Sequence, residues 1–238
     1  MVSSSPPIHI PVFAGQGTAG VNDSQTRQQA LLDCASPSGS TLLAACHEAF
    51  HDELSAIPAS DIAGVDVDSG DFLTKESLLA LPNPRYINNP AISGPTLFII
   101  QSLRYLAFVE KFALNTNSLT PFRDVLKPNS ENGLGVLGFS SGILPACVAG
   151  TSLTVISYIS KSVEAYRLAI WIGIRTQLFR RRTLDAASIN LDTTLPWSIV
   201  FRGMTKTMAE ESITNFINVK TSDLVLVLTH IGFSNPGH

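Results

Sequence analysis

Ser140 is the side chain whose surroundings most directly suggest chemistry. It stands at the centre of Gly138-Phe139-Ser140-Ser141-Gly142, with a glycine two places before it and another two places after. This is the G-x-S-x-G spacing of a nucleophile elbow, in which small residues are needed because the backbone at the serine is strained and passes close to its neighbours. A serine hydroxyl is a weak nucleophile at neutral pH. The elbow lifts it to the end of a strand, where a base can reach it and the next amide can meet an oxyanion. Ser140 then reads as the nucleophile and the Ser141 N–H as one oxyanion donor. The apolar approach, Leu134 to Leu137, predicts a buried strand, and the exit from Ile143 predicts a helix; together they favour an elbow over an ordinary loop.

A second candidate is the loop Ala14-Gly15-Gln16-Gly17-Thr18, which follows the short β-branched run Ile8 to Phe13. Pro11 within that run predicts a strand near an edge. Amides in such a glycine loop can point at an anion, although the loop taken alone also fits a plain turn. His47 and His51 lie four residues apart on a predicted helix, a spacing that can hold a metal. No third ligand lies near them in sequence and the H-E-x-x-H order is absent, so no metal is assigned and both are expected at the surface. Cys34, Cys46 and Cys147 form no ligand cluster and leave an odd thiol, which points to reduced cysteines and a cytoplasmic setting.

These residues need a scaffold. The 238 residues suffice for a large domain with a small second one. Hydrophobic residues reach 45% and charged ones 15%, so burial is extensive or a partner surface is missing. A net charge of −3 argues against a general nucleic-acid binder. Met1 to Pro7 lacks the pattern of a secretory signal. The apolar stretch from Ile143 to Ile174 is interrupted by Lys161, Glu164 and Arg167, so it reads as a core helix and no membrane partner is expected.

Periodicity and capping residues predict helices over Asp23 to Cys34 and over Ser40 to Leu54, the second capped by Ser40 or Thr41. Ile57 to Gly70 reads as an Asp-rich loop, Thr74 as the cap of a short helix through Leu81, and Pro82 to Pro90 as a break. A buried helix is predicted from Pro95, at its first turn, to Leu114, followed by a loop through Asn115, Pro121 and Pro128. Beyond the elbow helix, Thr151 to Arg182 reads as one long helix or two, with Arg180-Arg181-Arg182 offsetting the dipole of its last turn or meeting an acidic partner. The fold class expected is α/β: a parallel-sheet core over residues 1–192. Strand Trp197 to Phe201, helix Thr205 to Asn218 and strand Leu224 to Ile231 then form part of a ferredoxin-like α+β subdomain over 193–238.

With these pieces in order, the chain resembles the malonyl-CoA:carrier-protein acyltransferase superfamily. It looks most like the starter-unit acyltransferase domain of fungal non-reducing polyketide synthases. The match is carried by Val12 to Thr18, by Pro95 with Gln101 and Tyr105, by Gly138 to Gly142, and by Gly203-Met204. The resemblance implies an α/β-hydrolase-like acyltransferase core and a two-step transfer. An acyl group moves from coenzyme A, or from a fatty-acid synthase, to Ser140, and from there to the phosphopantetheine thiol of an acyl carrier protein. Acyl-CoA is then a substrate, phosphopantetheine belongs to the partner, and the other synthase domains are partners too. No cofactor resident in this chain is implied.

Residue by residue, the resemblance implies Ser140 as nucleophile and the amides of Gln16 and Ser141 as the oxyanion hole. Gly15, Gly17 and Phe139 surround the acyl group. Starter-unit domains usually carry cysteine where this chain has Ser140. Malonyl-specific relatives carry an arginine where this chain has Ala169-Ile170-Trp171-Ile172, so Ile170 and Trp171 are expected to form an apolar wall favouring a neutral acyl group, acetyl or a short to medium fatty chain. The family's general base is a histidine beyond the small subdomain. None of His9, His230 or His238 fits that place, so the chain is expected to be a C-terminally shortened transferase. The rivals are a serine esterase, which needs a Ser, acid, His order not evident here, and a docking module without catalysis.

Overall fold

The computed structural model describes residues 10–15, 21–131, 135–186 and the positions 205, 207, 208, 210 and 211. Two short strands organise the functional end. Strand β1 (Val12–Phe13) pairs in parallel with β2 (Leu137–Gly138), Val12 opposite Leu137 and Phe13 opposite Gly138. The Leu137 N–H donates to the Pro11 carbonyl and the Phe139 N–H to the Phe13 carbonyl, each at 3.0 Å. Parallel strands need a long crossover, and here helices supply it.

Helix α1 (Ser24–Asp33) starts at Asp23, whose carboxylate accepts from the Gln25 and Thr26 amides. Helix α2 (Pro37–Ser55) begins three residues earlier than the sequence suggests: Pro37 takes the first turn and the Ser36 hydroxyl, not Ser40 or Thr41, accepts from the Gly39 N–H. The stretch expected as an Asp-rich loop contains α3 (Ala59–Val65), which packs against the last helix. Helix α4 (Ser77–Ala80) is a single turn, and its N-cap position is Glu76 rather than Thr74.

Helix α5 (Pro90–Thr116) starts at Pro90, with Asn89 as its cap, so Pro95 lies inside it. Asn89 accepts from the Ala91 N–H while its amide donates to the carbonyls of Val65 at 2.9 Å and Asp66 at 3.2 Å, and this anchors the helix start. The expected loop through Pro121 contains α6 (Pro121–Glu131), because a proline in a first turn begins a helix as readily as it ends one. After the elbow come α7 (Ile143–Thr151) and then a single α8 (Val155–Ala186).

Helix α8 lies antiparallel to α5. The Tyr158 hydroxyl donates to the Ser102 carbonyl at 3.0 Å, and fifteen residues later Gly173 meets the start of α5, where a Cβ would stand 2.3 Å from the Pro90 carbonyl oxygen. Leu42 and Phe50 of α2, Ile99 and Leu103 of α5, and Tyr158, Tyr166 and Ile170 of α8 form the buried centre. Helix α5 is long and apolar enough to cross a membrane by length and composition, but 72% of its most apolar window is buried within the protein.

Arg180, Arg181 and Arg182 are not in a last turn. Arg180 donates to the Asn88 carbonyl and Arg181 to the Ala63 carbonyl, each at 3.1 Å, and Arg182 reaches Asp61 at 3.5 Å. These arginines therefore tie α8 to α3 and to the entry of α5. The segment expected as a ferredoxin-like subdomain lies outside the described residues, apart from five positions. Of these, 207, 208, 210 and 211 are helical, and the Met208 N–H donates to the Thr205 hydroxyl at 3.2 Å, in keeping with the expected cap.

Candidate functional site

The elbow is a strained turn. Phe139 is extended, Ser140 takes a left-handed conformation with φ 53°, and the Gly142 N–H closes the turn onto the Phe139 carbonyl at 2.9 Å. A non-glycine residue held in that region costs about 1–2 kcal/mol, so packing around it must hold it there. The glycines make that packing possible. A Cβ on Gly138 would stand 2.5 Å from the Gly142 carbonyl oxygen and 2.8 Å from the Ala146 Cβ, and one on Gly142 would stand 2.3 Å from the Phe13 carbonyl oxygen.

The loop after β1 is equally close. A Cβ on Gly15 would lie 2.8 Å from the Ser140 Cβ and 3.4 Å from its Oγ, so the Gly15 backbone passes close against Ser140. Gln16 and Gly17 follow immediately in sequence but lie outside the described residues. Ser140 itself is exposed and α7 begins just behind it, so the positive end of that helix faces the hydroxyl region. The approach strand is not buried as expected. Val12, Leu137 and Phe139 share one face and are 57%, 49% and 61% exposed, whereas Phe13 points inward onto Tyr105, ring centroids 5.6 Å apart.

Two side chains of α5 meet the end of β1 and the residue after it. The Gln101 amide donates to the Ala14 carbonyl at 2.7 Å. Tyr105, one turn further along, packs its ring on Phe13, and burial pushes its hydroxyl up to about 12. Both belong to the motif on which the family resemblance rests, but a hydrogen bond across 87 residues has no signature in spacing.

The structure thus brings together Gly15, Phe139, Ser140 and Ser141. It places Ile170 and Trp171 elsewhere. Ile170 is enclosed in the core, and the Trp171 indole N–H donates to Glu53 of α2 at 2.6 Å, with Arg175 over its ring. Both lie near the Pro90 end of the α5–α8 pair, whereas Gln101 marks the elbow end, about 13 Å away at 1.5 Å per helical residue. They do not form the expected wall beside Ser140.

His47 and His51 are half-buried rather than on the surface. Their Nε2 atoms lie 3.2 Å apart, and each is 2.8 Å from the Phe72 carbonyl oxygen. Neither reaches the elbow through those contacts, and His9, His230 and His238 lie outside the described residues. Among the described residues no group of three or more histidine, cysteine or acidic side chains converges as a metal site. The three cysteines are free thiols; burial pushes those of Cys34 and Cys46 up, while Cys147 is exposed.

What this geometry defines is an exposed serine on a strained turn with the Gly15 backbone against it. Comparison with known proteins supplies the family. The model of the family described as "Starter unit:ACP transacylase in aflatoxin biosynthesis" matches residues 12–227, and the chain belongs to that family of acyltransferase domains. Orsellinic acid synthase ArmB of Armillaria ostoyae is 44% identical over 214 residues, covering 90% of this chain and 9% of that protein. The orsellinic acid synthase of Armillaria mellea is 42% identical over 213 residues, covering 89% and 9%. That of Beauveria bassiana is 30% identical over 234 residues, covering 96% and 10%. The chain therefore spans about a tenth of the length of the curated relatives it matches. No solved structure matches it.

Proposed function

We propose that this chain loads a starter acyl group onto an acyl carrier protein by way of an ester on Ser140. The observation that carries the reading is the contact between the exposed, left-handed Ser140 and the Gly15 backbone, which sets the nucleophile beside the loop that leads to the Gln16 amide. The Ser140 Oγ attacks the thioester carbonyl of an acyl-CoA, a general base takes the hydroxyl proton, and the C–S bond breaks to release coenzyme A as its thiol. The phosphopantetheine thiol of the carrier protein then attacks the ester, and Ser140 recovers its proton. The amides of Ser141 and Gln16 hold the oxyanion in both steps; losing one such donor typically costs about 100- to 1000-fold in rate.

The parallel β1–β2 pair and the elbow support an α/β-hydrolase-like acyltransferase core over residues 1–192. A neutral acyl group, acetyl to hexanoyl, remains the preferred cargo. Among the described residues, the side chains of Phe13, Gln101, Tyr105 and Ala146 near the elbow carry no charge to pair with a malonyl carboxylate. The general base is a histidine from outside the described residues. The orsellinic acid synthases among the relatives support a place beside the other domains of a polyketide synthase.

Intact-mass spectrometry after incubation with acetyl- and hexanoyl-coenzyme A tests this. One acyl adduct is expected on the chain and none on Ser140→Ala. An adduct retained in the alanine variant would overturn the reading, whereas none on the folded parent chain would mean that the general base is not among this chain's own histidines.

A further inference from the structure

We propose that His47, His51 and the main-chain carbonyl of Phe72 form a binding site for one divalent transition-metal ion of the zinc, nickel or copper kind. The proposal does not rest on the acyl-enzyme reading. The sequence supplies two donors one turn apart on α2, and the fold supplies a third that no spacing of side chains shows. The two imidazole Nε2 atoms lie 3.2 Å apart and each stands 2.8 Å from the Phe72 carbonyl oxygen. An ion at the usual metal–imidazole distance of about 2.1 Å from all three would see them at angles of about 85–100°, as on one face of a five- or six-coordinate shell. Water would fill the open positions.

The rival is a plain hydrogen-bonded pair. One neutral tautomer allows it, with both Nε2 atoms protonated and both donating to the same oxygen. That arrangement sets two N–H dipoles side by side at 3.2 Å with their positive ends converging. Any other neutral tautomer leaves an imidazole lone pair facing the carbonyl oxygen at 2.8 Å. A cation satisfies all three lone pairs at once. The carbonyl is free for this role, because among the described residues it takes no backbone N–H.

The frame around the three atoms is rigid. Phe72 closes a short 3-10 turn, Ser69–Phe72, and its buried ring packs on Phe50 of α2 and on Tyr86, with centroids 4.9 and 5.0 Å away. The Tyr86 hydroxyl accepts from the Asp68 N–H at 3.1 Å and donates to Asp71 at 2.7 Å, which pins the same turn. The carbonyl and the helix are thus in place before an ion arrives, so little ordering opposes binding. Both imidazoles are half-buried, and His51 borders a cavity of about 270 Å³ with Ser55 and Ser69 on its wall, which gives a hydrated ion a way in.

The test is a zinc titration of the untagged full chain carrying Cys147→Ala, which removes an exposed thiol that could compete. One ion is expected per chain, with a dissociation constant in the micromolar range. The melting temperature should rise by about 5–10 °C at a hundredfold excess over half-saturation. Imidazole nitrogen NMR should show both rings moving from the Nε2–H to the Nδ1–H tautomer, because the metal takes Nε2. His47→Gln and His51→Gln each keep a donor for the Phe72 carbonyl but should bind zinc at least about 10- to 100-fold more weakly, the loss that even an outer-shell partner causes. If either variant fails to fold, the tautomer change in the chain with both histidines carries the test. Zinc binding unchanged in both glutamine variants would overturn the proposal, as would saturation only at millimolar zinc or rings that stay Nε2–H in its presence.

Discussion

Replacing Gly142 by alanine puts one methyl group where the elbow meets β1. The new Cβ would stand 2.3 Å from the Phe13 carbonyl oxygen, 2.6 Å from the Phe13 carbonyl carbon and 2.8 Å from the Ala14 carbonyl oxygen, where ordinary contact begins at 3.4 Å. None of these atoms is the tip of a flexible side chain, so the end of β1 must withdraw. The same Phe13 oxygen accepts the Phe139 N–H, and the Ala14 oxygen accepts from Gln101, so withdrawal strains both hydrogen bonds. Overpacking of this kind costs about 1–3 kcal/mol of stability. A displacement of about 1 Å between reacting groups costs about 100-fold in rate. Gly150→Ala is the control, because its Cβ would meet only the Val136 side chain at 3.8 Å, and an alanine near the end of α7 gains up to about 0.5–1 kcal/mol. Single-turnover acylation followed by intact mass, with thermal unfolding alongside, reads both variants. Gly142→Ala with parent-like rate and melting temperature, or Gly150→Ala equally impaired, would refute the reasoning.

Ser140→Gly should abolish the acyl adduct yet unfold at higher temperature, by about 0.5–1 kcal/mol, because the relief of a left-handed serine exceeds the added chain entropy of glycine; a less stable variant would contradict the strain. Trp171→Phe removes the hydrogen bond to Glu53 and should cost about 1–2 kcal/mol in urea unfolding while leaving the preference between acetyl and hexanoyl groups unchanged. A shifted preference would return Trp171 to the acyl pocket. The Thr26 hydroxyl and the Gln25 amide hold the Asp23 carboxyl below the usual carboxylate range. Its contribution is therefore present above the unfolded value and lost as pH falls through the lowered folded one. Melting temperatures of the parent and Asp23→Asn should converge in acid, and a constant gap down to pH 2 would count against the cap.

The elbow was legible because its constraint is local. Five consecutive residues determine whether the turn can close, and the clashes that a Cβ would make at Gly138 and Gly142 are the physical content of the G-x-S-x-G spacing. Prolines mark helix starts less uniquely than spacing suggests: Pro37, Pro90 and Pro121 each open a helix, while Pro95, which the sequence favours as an opener, sits inside one whose cap is Asn89. Asn89 caps well because it also binds the Val65 and Asp66 carbonyls, and no reading of neighbours could supply that.

The placement of the apolar wall failed for the same reason at longer range. Ala169 to Ile172 is apolar in sequence whichever neighbour it meets, and what decides the neighbour is Gly173, which lets α8 close onto Pro90, with Trp171 and Arg167 committed to Glu53. Those contacts draw this stretch toward the far end of α5 from Gln101. The exposed Phe139 and the Ala14 backbone bonded to Gln101 lie at the opposite end of that helix pair.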